Sequence, residues 1–211
     1  KLNSWYWTTN TRNNSLGAFA GCLYNHIQVS SIPRKILDRP DLLKKYRVLY
    51  LADIGYLSHN QIKNIKSFVR EGGGLIVSFG TSLYDQSLKR QKQFALEELI
   101  RVKPAEHTAG LDSLIQWYDC FLGGPNDLYL HANQKYSDAM DEYWHERLVP
   151  LWFYEPVQVL PDGKVLMDIV AGAGKKPLLP GIVFSEYGKG KVIYSASALE
   201  SLYLEDRADV L

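Results

Sequence analysis

The sequence predicts an α/β fold with parallel strands, and three observations carry that expectation. Residues 46–85 read in order as strand, loop, helix, triple glycine and strand. Such a βαβ unit implies a parallel pair joined by a right-handed crossover. Further on, two β-rich runs at residues 181–187 and 191–197 flank Gly188-Lys189-Gly190, a pattern that predicts a C-terminal β-hairpin because glycine adopts the positive φ that tight hairpin turns need. At 211 residues the chain can also bury a substantial core as one larger domain.

Within the βαβ unit each piece has a local cause. Val48-Leu49-Tyr50-Leu51-Ala52 is a continuous apolar run, as in a strand buried on both faces. Ser58 with Gln61 three residues on is a capping box, and Leu57 and Ile62 are spaced as its hydrophobic staple. Ile62, Ile65, Phe68 and Val69 then recur at helical spacing, opposite Lys63, Asn64, Lys66, Ser67 and Arg70. Gly72-Gly73-Gly74 provide the left-handed cap and a tight return into Leu75-Ile76-Val77. In parallel sheets ligands lie beyond the carboxyl ends of the strands, which directs attention to Asp53 and to residues 78–85.

Elsewhere the elements are read in chain order. Residues 4–9 (SWYWTT) have strand composition, and residues 16–26 carry Ala18, Phe19, Cys22 and Leu23 at helical spacing. Residues 27–32 alternate as a short second strand stopped by Pro33, and residues 34–45 form a helical connector interrupted by Pro40, with Leu42 and Leu43 facing inward. Residues 94–100 read as a helix. Residues 104–150 are irregular and rich in aromatics, after which residues 152–160 and 164–170 read as strands ahead of the hairpin. The expected organisation is one domain over 1–211: a βαβ core (1–103), the aromatic insertion (104–150) and C-terminal strands (151–211). The lack of an initial methionine and the helix-like end suggest a piece of a longer chain.

Charge and composition narrow the functional classes. Twenty-four basic and 23 acidic residues leave a net charge of +1 with no basic block, so no nucleic-acid partner is expected. No run approaches the roughly 18 apolar residues of a membrane helix and no signal-peptide core is present, so a soluble protein is expected, bacterial but of undecided compartment, cytoplasm or periplasm and beyond. Two cysteines, Cys22 and Cys120, make no disulfide framework, and whether they pair is open.

The residues just described also resemble a known family. Asn25-His26-Ile27, residues 42–51, Leu57-Ser58, residues 68–77 and above all Thr81-Ser82-Leu83-Tyr84-Asp85 followed by Phe94-Ala95-Leu96 are similar to the amidotransferase-like domain that follows the catalytic barrel in bacterial glycoside hydrolases, akin to the trimerisation domain of certain beta-galactosidases. The likeness spans residues 4–100 and resumes over residues 181–197. It implies a flavodoxin-like, class I glutamine amidotransferase-like three-layer α/β/α sandwich with a mostly parallel sheet and a C-terminal hairpin. It also implies a domain without its own activity or cofactor, serving assembly with the catalytic barrel or with further copies, or framing a sugar site. Relatives carry an acidic residue before the Thr-Ser pair; Gly80 stands there, so no sugar contact through that carboxylate is carried over.

A glutaminase needs a cysteine on a sharp turn after the second strand of the unit, yet that place reads Ser78-Phe79-Gly80-Thr81-Ser82. Gly80-Thr81-Ser82-Leu83-Tyr84 is a near miss to a serine-hydrolase elbow, with Tyr84 where the second glycine belongs; Thr81, Ser82 and Asp85 read more simply as turn and cap residues. A saccharide held by Asp53, Gly80, Thr81, Ser82, Tyr84 and Asp85 is the alternative binding reading. Glu142 and His145 share a helix face but lack the second pair a carboxylate-bridged metal site needs, and the remaining histidines show no ligand spacing, so no metal is expected. Aromatics such as Trp117, Tyr118, Tyr129, Trp144 and Trp152 fit a core or interface better than a glycan platform.

Overall fold

The computed structural model describes residues 4–105, 128–135, 148–151, 154–171 and 176–200, with side chains from residue 13 onward. Its elements are α1 (Ser4–Tyr24), a 3-10 turn (Arg34–Asp38), α2 (Pro40–Leu43), β1 (Val48–Ala52), α3 (His59–Arg70), β2 (Gly74–Ser78) and α4 (Glu97–Ile100). There follow β3 (Val102–Pro104), β4 (Leu128–Ala132), β5 (Val149–Pro150), β6 (Val157–Val159), β7 (Lys164–Ala171), β8 (Lys176–Tyr187) and β9 (Gly190–Ser195).

The βαβ unit forms as its local signals dictate. Ser58 accepts from the Gln61 amide (3.2 Å) while the Gln61 side chain accepts from the Ser58 amide (3.1 Å), completing the capping box. At the other end Gly72 has φ +116°, its amide donates to Val69 O (2.9 Å) and the Gly73 amide donates to Phe68 O (3.0 Å). That pair of bonds is a Schellman motif and satisfies two of the carbonyls α3 would otherwise leave open. β1 and β2 are parallel in register from Val48↔Gly74 to Ala52↔Ser78. The hairpin also forms, with Tyr187 paired to Gly190, and its turn docks on the helix end, where the Lys189 amide donates to Arg70 O (3.1 Å).

The sheet differs from the expected one. Among the described residues it has seven strands in the order β1-β2-β9-β8-β7-β4-β5, beside a separate β3-β6 pair. Only β1-β2 and β2-β9 are parallel; the other four pairings are antiparallel. The expected mostly parallel, flavodoxin-like sheet is therefore corrected to a mixed α/β sheet. The cause is connection length: β8 joins β9 through a tight turn, and β7 ends at Ala171 with β8 starting already at Lys176, whereas a parallel pair needs a crossover of a dozen or more residues.

Four element assignments change as well. Residues 4–9 belong to α1 rather than to a strand, because a helix nucleated by the pattern at residues 16–23 extends at little cost. Residues 27–33 form no strand, since β1 is the sheet edge and the segment has no neighbour to satisfy its backbone groups. Pro40 opens α2 instead of interrupting a connector, the first helical position being where a missing N–H costs nothing. Of residues 154–160 only Val157–Val159 is a strand, and Tyr154 makes an isolated bridge to Ser197; residues 152 and 153 lie outside the described residues.

Alternation along the strands places the core. Leu49, Leu51, Leu75, Val77, Val192 and Tyr194 share one sheet face and are buried with Ile65, Phe68 and Val69 of α3. Tyr50 and Ser78 lie on the opposite face, toward α1. That second face carries the polar residues that form the candidate site.

Candidate functional site

Three adjacent parallel strands, β1, β2 and β9, end on the same side of the sheet, and three residues at those ends adopt left-handed backbone: Asp53 (φ +51°), Phe79 (φ +49°) and Ser82 (φ +65°). Non-glycine residues enter this region at a cost that the surrounding structure must hold in place. The strained position directly after β2 is Phe79, ahead of Gly80, Thr81 and Ser82. A nucleophile elbow would present its reactive atom there. Phe79 is buried and chemically inert.

The sequence-derived candidates separate into two groups. Thr81 and Ser82 are buried, and their hydroxyls are engaged internally. Thr81 Oγ1 lies 2.8 Å from Ser78 O and 3.1 Å from Leu51 O and accepts from the Ile54 amide at 2.9 Å. Ser82 Oγ accepts from the Leu96 amide at 3.2 Å, and the Ser82 amide donates to Ile54 O at 2.9 Å. Asp85 caps its own turn, accepting from the amides of Ser87 (2.8 Å) and Lys89 (3.0 Å) and from Gln91 Nε2 (2.9 Å). Tyr84 bridges to Arg90 across that turn. Gly80 makes room: a Cβ there would stand 3.2 Å from the Tyr84 ring and 3.5 Å from Asp53 Oδ1.

Asp53 belongs to a different constellation, a buried polar cluster between the strand ends and α1. Asn14 Nδ2 donates to Asp53 Oδ2 at 3.2 Å. The Tyr50 hydroxyl donates to Glu200 Oε1 at 2.7 Å, and α1 approaches so closely that a Cβ on Gly17 would fall 1.8 Å from Glu200 O. Burial, reinforced by the charge of Glu200, raises the Asp53 carboxyl from an ordinary 3.8 to about 8. Burial likewise raises Glu200, and raises the Tyr50 hydroxyl together with the Glu200 charge beside it. The Gly80 amide and the Ser78 hydroxyl oppose these shifts in the two acids without completing well-formed hydrogen bonds.

A third acid, Glu155, is 6% exposed and ion-paired with Arg90. Its charge reaches both Asp53 and the fully buried Tyr194, whose hydroxyl donates to Phe79 O at 3.1 Å. Asn14, Tyr50, Arg90, Glu155, Tyr194 and Glu200 were not singled out by sequence. Tyr50 gave the one available signal, a phenol inside an apolar strand, which calls for a hydrogen-bond partner.

Among the described residues no three histidine, cysteine or carboxylate side chains converge as a metal centre, and no helix is long and apolar enough to cross a membrane. Cys22 is a half-buried free thiol. Cys120, the Glu142–His145 pair and the aromatics Trp117, Tyr118, Trp144 and Trp152 lie outside the described residues.

No protein-family model and no curated protein matches the chain by sequence. Solved structures match it by fold. A beta-galactosidase from Bacillus circulans sp. alkalophilus superposes with a TM-score of 0.56 at 14% identity, over 82% of this chain and 24% of that one. A cytoplasmic protein from Salmonella typhimurium gives 0.57 at 19% identity, over 84% and 73%. An exo-beta-1,4-mannosidase from Opitutaceae bacterium strain TAV5 gives 0.53 at 14% identity, over 94% and 29%. The chain thus spans about a quarter of the length of the beta-galactosidases it matches. At these identities the likeness is one of fold.

Proposed function

We propose that this chain is a non-catalytic accessory domain of a carbohydrate-active enzyme, an amidotransferase-like scaffold that packs against a catalytic barrel in the same polypeptide or joins copies of it. One observation carries the reading: the fold correspondence takes in 82% of this chain but only 24% of the beta-galactosidase, the proportion of a domain to a larger enzyme. The strand ends support it. Phe79 occupies the strained position where a nucleophile would stand, and the Thr81 and Ser82 hydroxyls are spent on backbone groups. Leu16, Leu23, Tyr24, Ile27 and Val48, on α1, the segment after it and the edge strand, are about half exposed, as befits a surface that another domain or subunit covers.

The test is to capture the native polypeptide from its source with an antibody to this chain and determine its mass and composition. A glycoside hydrolase barrel in the same polypeptide is expected. A monomer with no barrel overturns the reading. Calorimetry of the chain against a panel of saccharides addresses the alternative of a sugar held at Asp53, Gly80, Thr81, Ser82, Tyr84 and Asp85; no heat is expected.

A further inference from the structure

Four buried oxygens in the polar cluster have no hydrogen-bond partner: Asn14 Oδ1, Asp53 Oδ1, Ser78 Oγ and Glu200 Oε2. Their residues are at most 6% exposed and come from four places in the chain, namely α1, the turn after β1, the last residue of β2 and the segment after β9. Contacts hold them together. Asn14 donates to the other oxygen of Asp53, Ala52 and Ser78 are partners in the β1-β2 register, the Glu200 charge acts on Asp53, and the Ser78 hydroxyl acts on Glu200.

Elementary bookkeeping of donors shows what the cluster lacks. Three of the four oxygens can only accept when the acids are ionised, and the serine hydroxyl supplies a single proton. Among the described residues no basic side chain is an ion-pair or hydrogen-bond partner of Asp53 or Glu200, and Arg90 is paired with Glu155. An ionised carboxylate is not buried without a compensating charge, and a buried oxygen is not left bare without penalty. A neutral water would satisfy two of these acceptors and leave the others open; protonation of the two acids is the competing arrangement.

We propose that Asn14 Oδ1, Asp53 Oδ1, Ser78 Oγ and Glu200 Oε2 are the protein ligands of a buried site for a hard divalent cation, calcium or magnesium. An amide oxygen, two carboxylates and a hydroxyl form an all-oxygen set that suits these ions and disfavours softer metals. Tyr50, bonded to the second oxygen of Glu200, and Asn14, bonded to the second oxygen of Asp53, orient the two carboxylates. The cation would tie α1 to the ends of three parallel strands.

The experiment uses the whole chain, stripped with EDTA and dialysed at pH 8. Calcium or magnesium chloride should raise the melting temperature, while sodium chloride of equal ionic strength should not; comparing the two chlorides identifies the preferred ion. Titration calorimetry with either chloride should give a saturable heat. Asp53→Asn and Glu200→Gln each remove a buried charge, so both should fold and melt higher in EDTA, yet bind the cation at least about tenfold more weakly. Asp85→Asn, in an exposed turn, should respond like the parent. If neither chloride shifts melting or gives heat, or if Asp53→Asn and Glu200→Gln respond like the parent, the site does not exist and the two acids are simply protonated.

Discussion

The Tyr50 hydroxyl reaches Glu200 Oε1 across 2.7 Å and 150 residues of sequence, joining the edge strand to the segment beyond the last strand. Tyr50→Phe leaves a buried carboxylate oxygen without its donor, and a stability loss of about 1–3 kcal/mol is expected from urea unfolding.

The same cluster sets a pH dependence. The folded-state pKa of Asp53 is raised from 3.8 to about 8, and that of Glu200 is raised too, so the native state holds more protons than the unfolded chain within this window. Stability from this source is fully present below pH 3.8 and is lost as pH rises through about 8. In EDTA the urea midpoint should therefore fall between pH 5 and pH 8.5, and Asp53→Asn should flatten the slope.

Arg90 and Glu155 form a pair with an exposed side and a buried one: the Arg90 side chain is 33% exposed and that of Glu155 8%. Arg90→Ala removes one partner of the buried acid and should cost about 1–3 kcal/mol, whereas Arg90→Ala combined with Glu155→Gln should recover part of it in a double-mutant cycle.

Two glycines should respond in opposite directions. A Cβ on Gly190 would stand 2.2 Å from Val69 O and 2.4 Å from Gly73 O, both backbone atoms at the end of α3, so Gly190→Ala should destabilise by roughly 1–3 kcal/mol or more. A Cβ on Gly21 in α1 would meet nothing within 4 Å, so Gly21→Ala should stabilise by up to about 1 kcal/mol through helix propensity. Thermal melts of the two variants measure both.

Ser82 tests the hydrolase alternative. Its Oγ accepts from the Leu96 amide, so Ser82→Ala should lower stability by about 1–3 kcal/mol through the orphaned N–H and leave any esterase or glycosidase turnover unchanged. A loss of turnover in a variant that melts like its parent would restore the serine nucleophile.

What could be read from sequence follows the range of the forces involved. The capping box at Ser58, the Schellman motif at Gly72 and the Gly188 turn are decided by residues a few positions apart, and each was legible. The first strand assigned at residues 4–9 failed because composition is a weak prior beside a helix already nucleated downstream. The mixed sheet was hidden for another reason: strand direction in the C-terminal half depends on which distant strands pair, and β4 pairs with β7 from 35 or more residues away. Asp53 was marked by its place at a strand end, but its companions Asn14 and Glu200 meet it only in three dimensions, and neither sits in a local pattern that reports burial.

On the proposed reading the domain serves assembly and leaves chemistry to a neighbouring barrel. The most direct measurement compares the native polypeptide with a version lacking these 211 residues, by sedimentation velocity and glycoside hydrolysis on the same samples. A lower assembly state, or a destabilised barrel, with hydrolysis retained per folded catalytic site is expected. An unchanged assembly state and barrel stability, or a correctly folded barrel that has lost all hydrolysis, would contradict it.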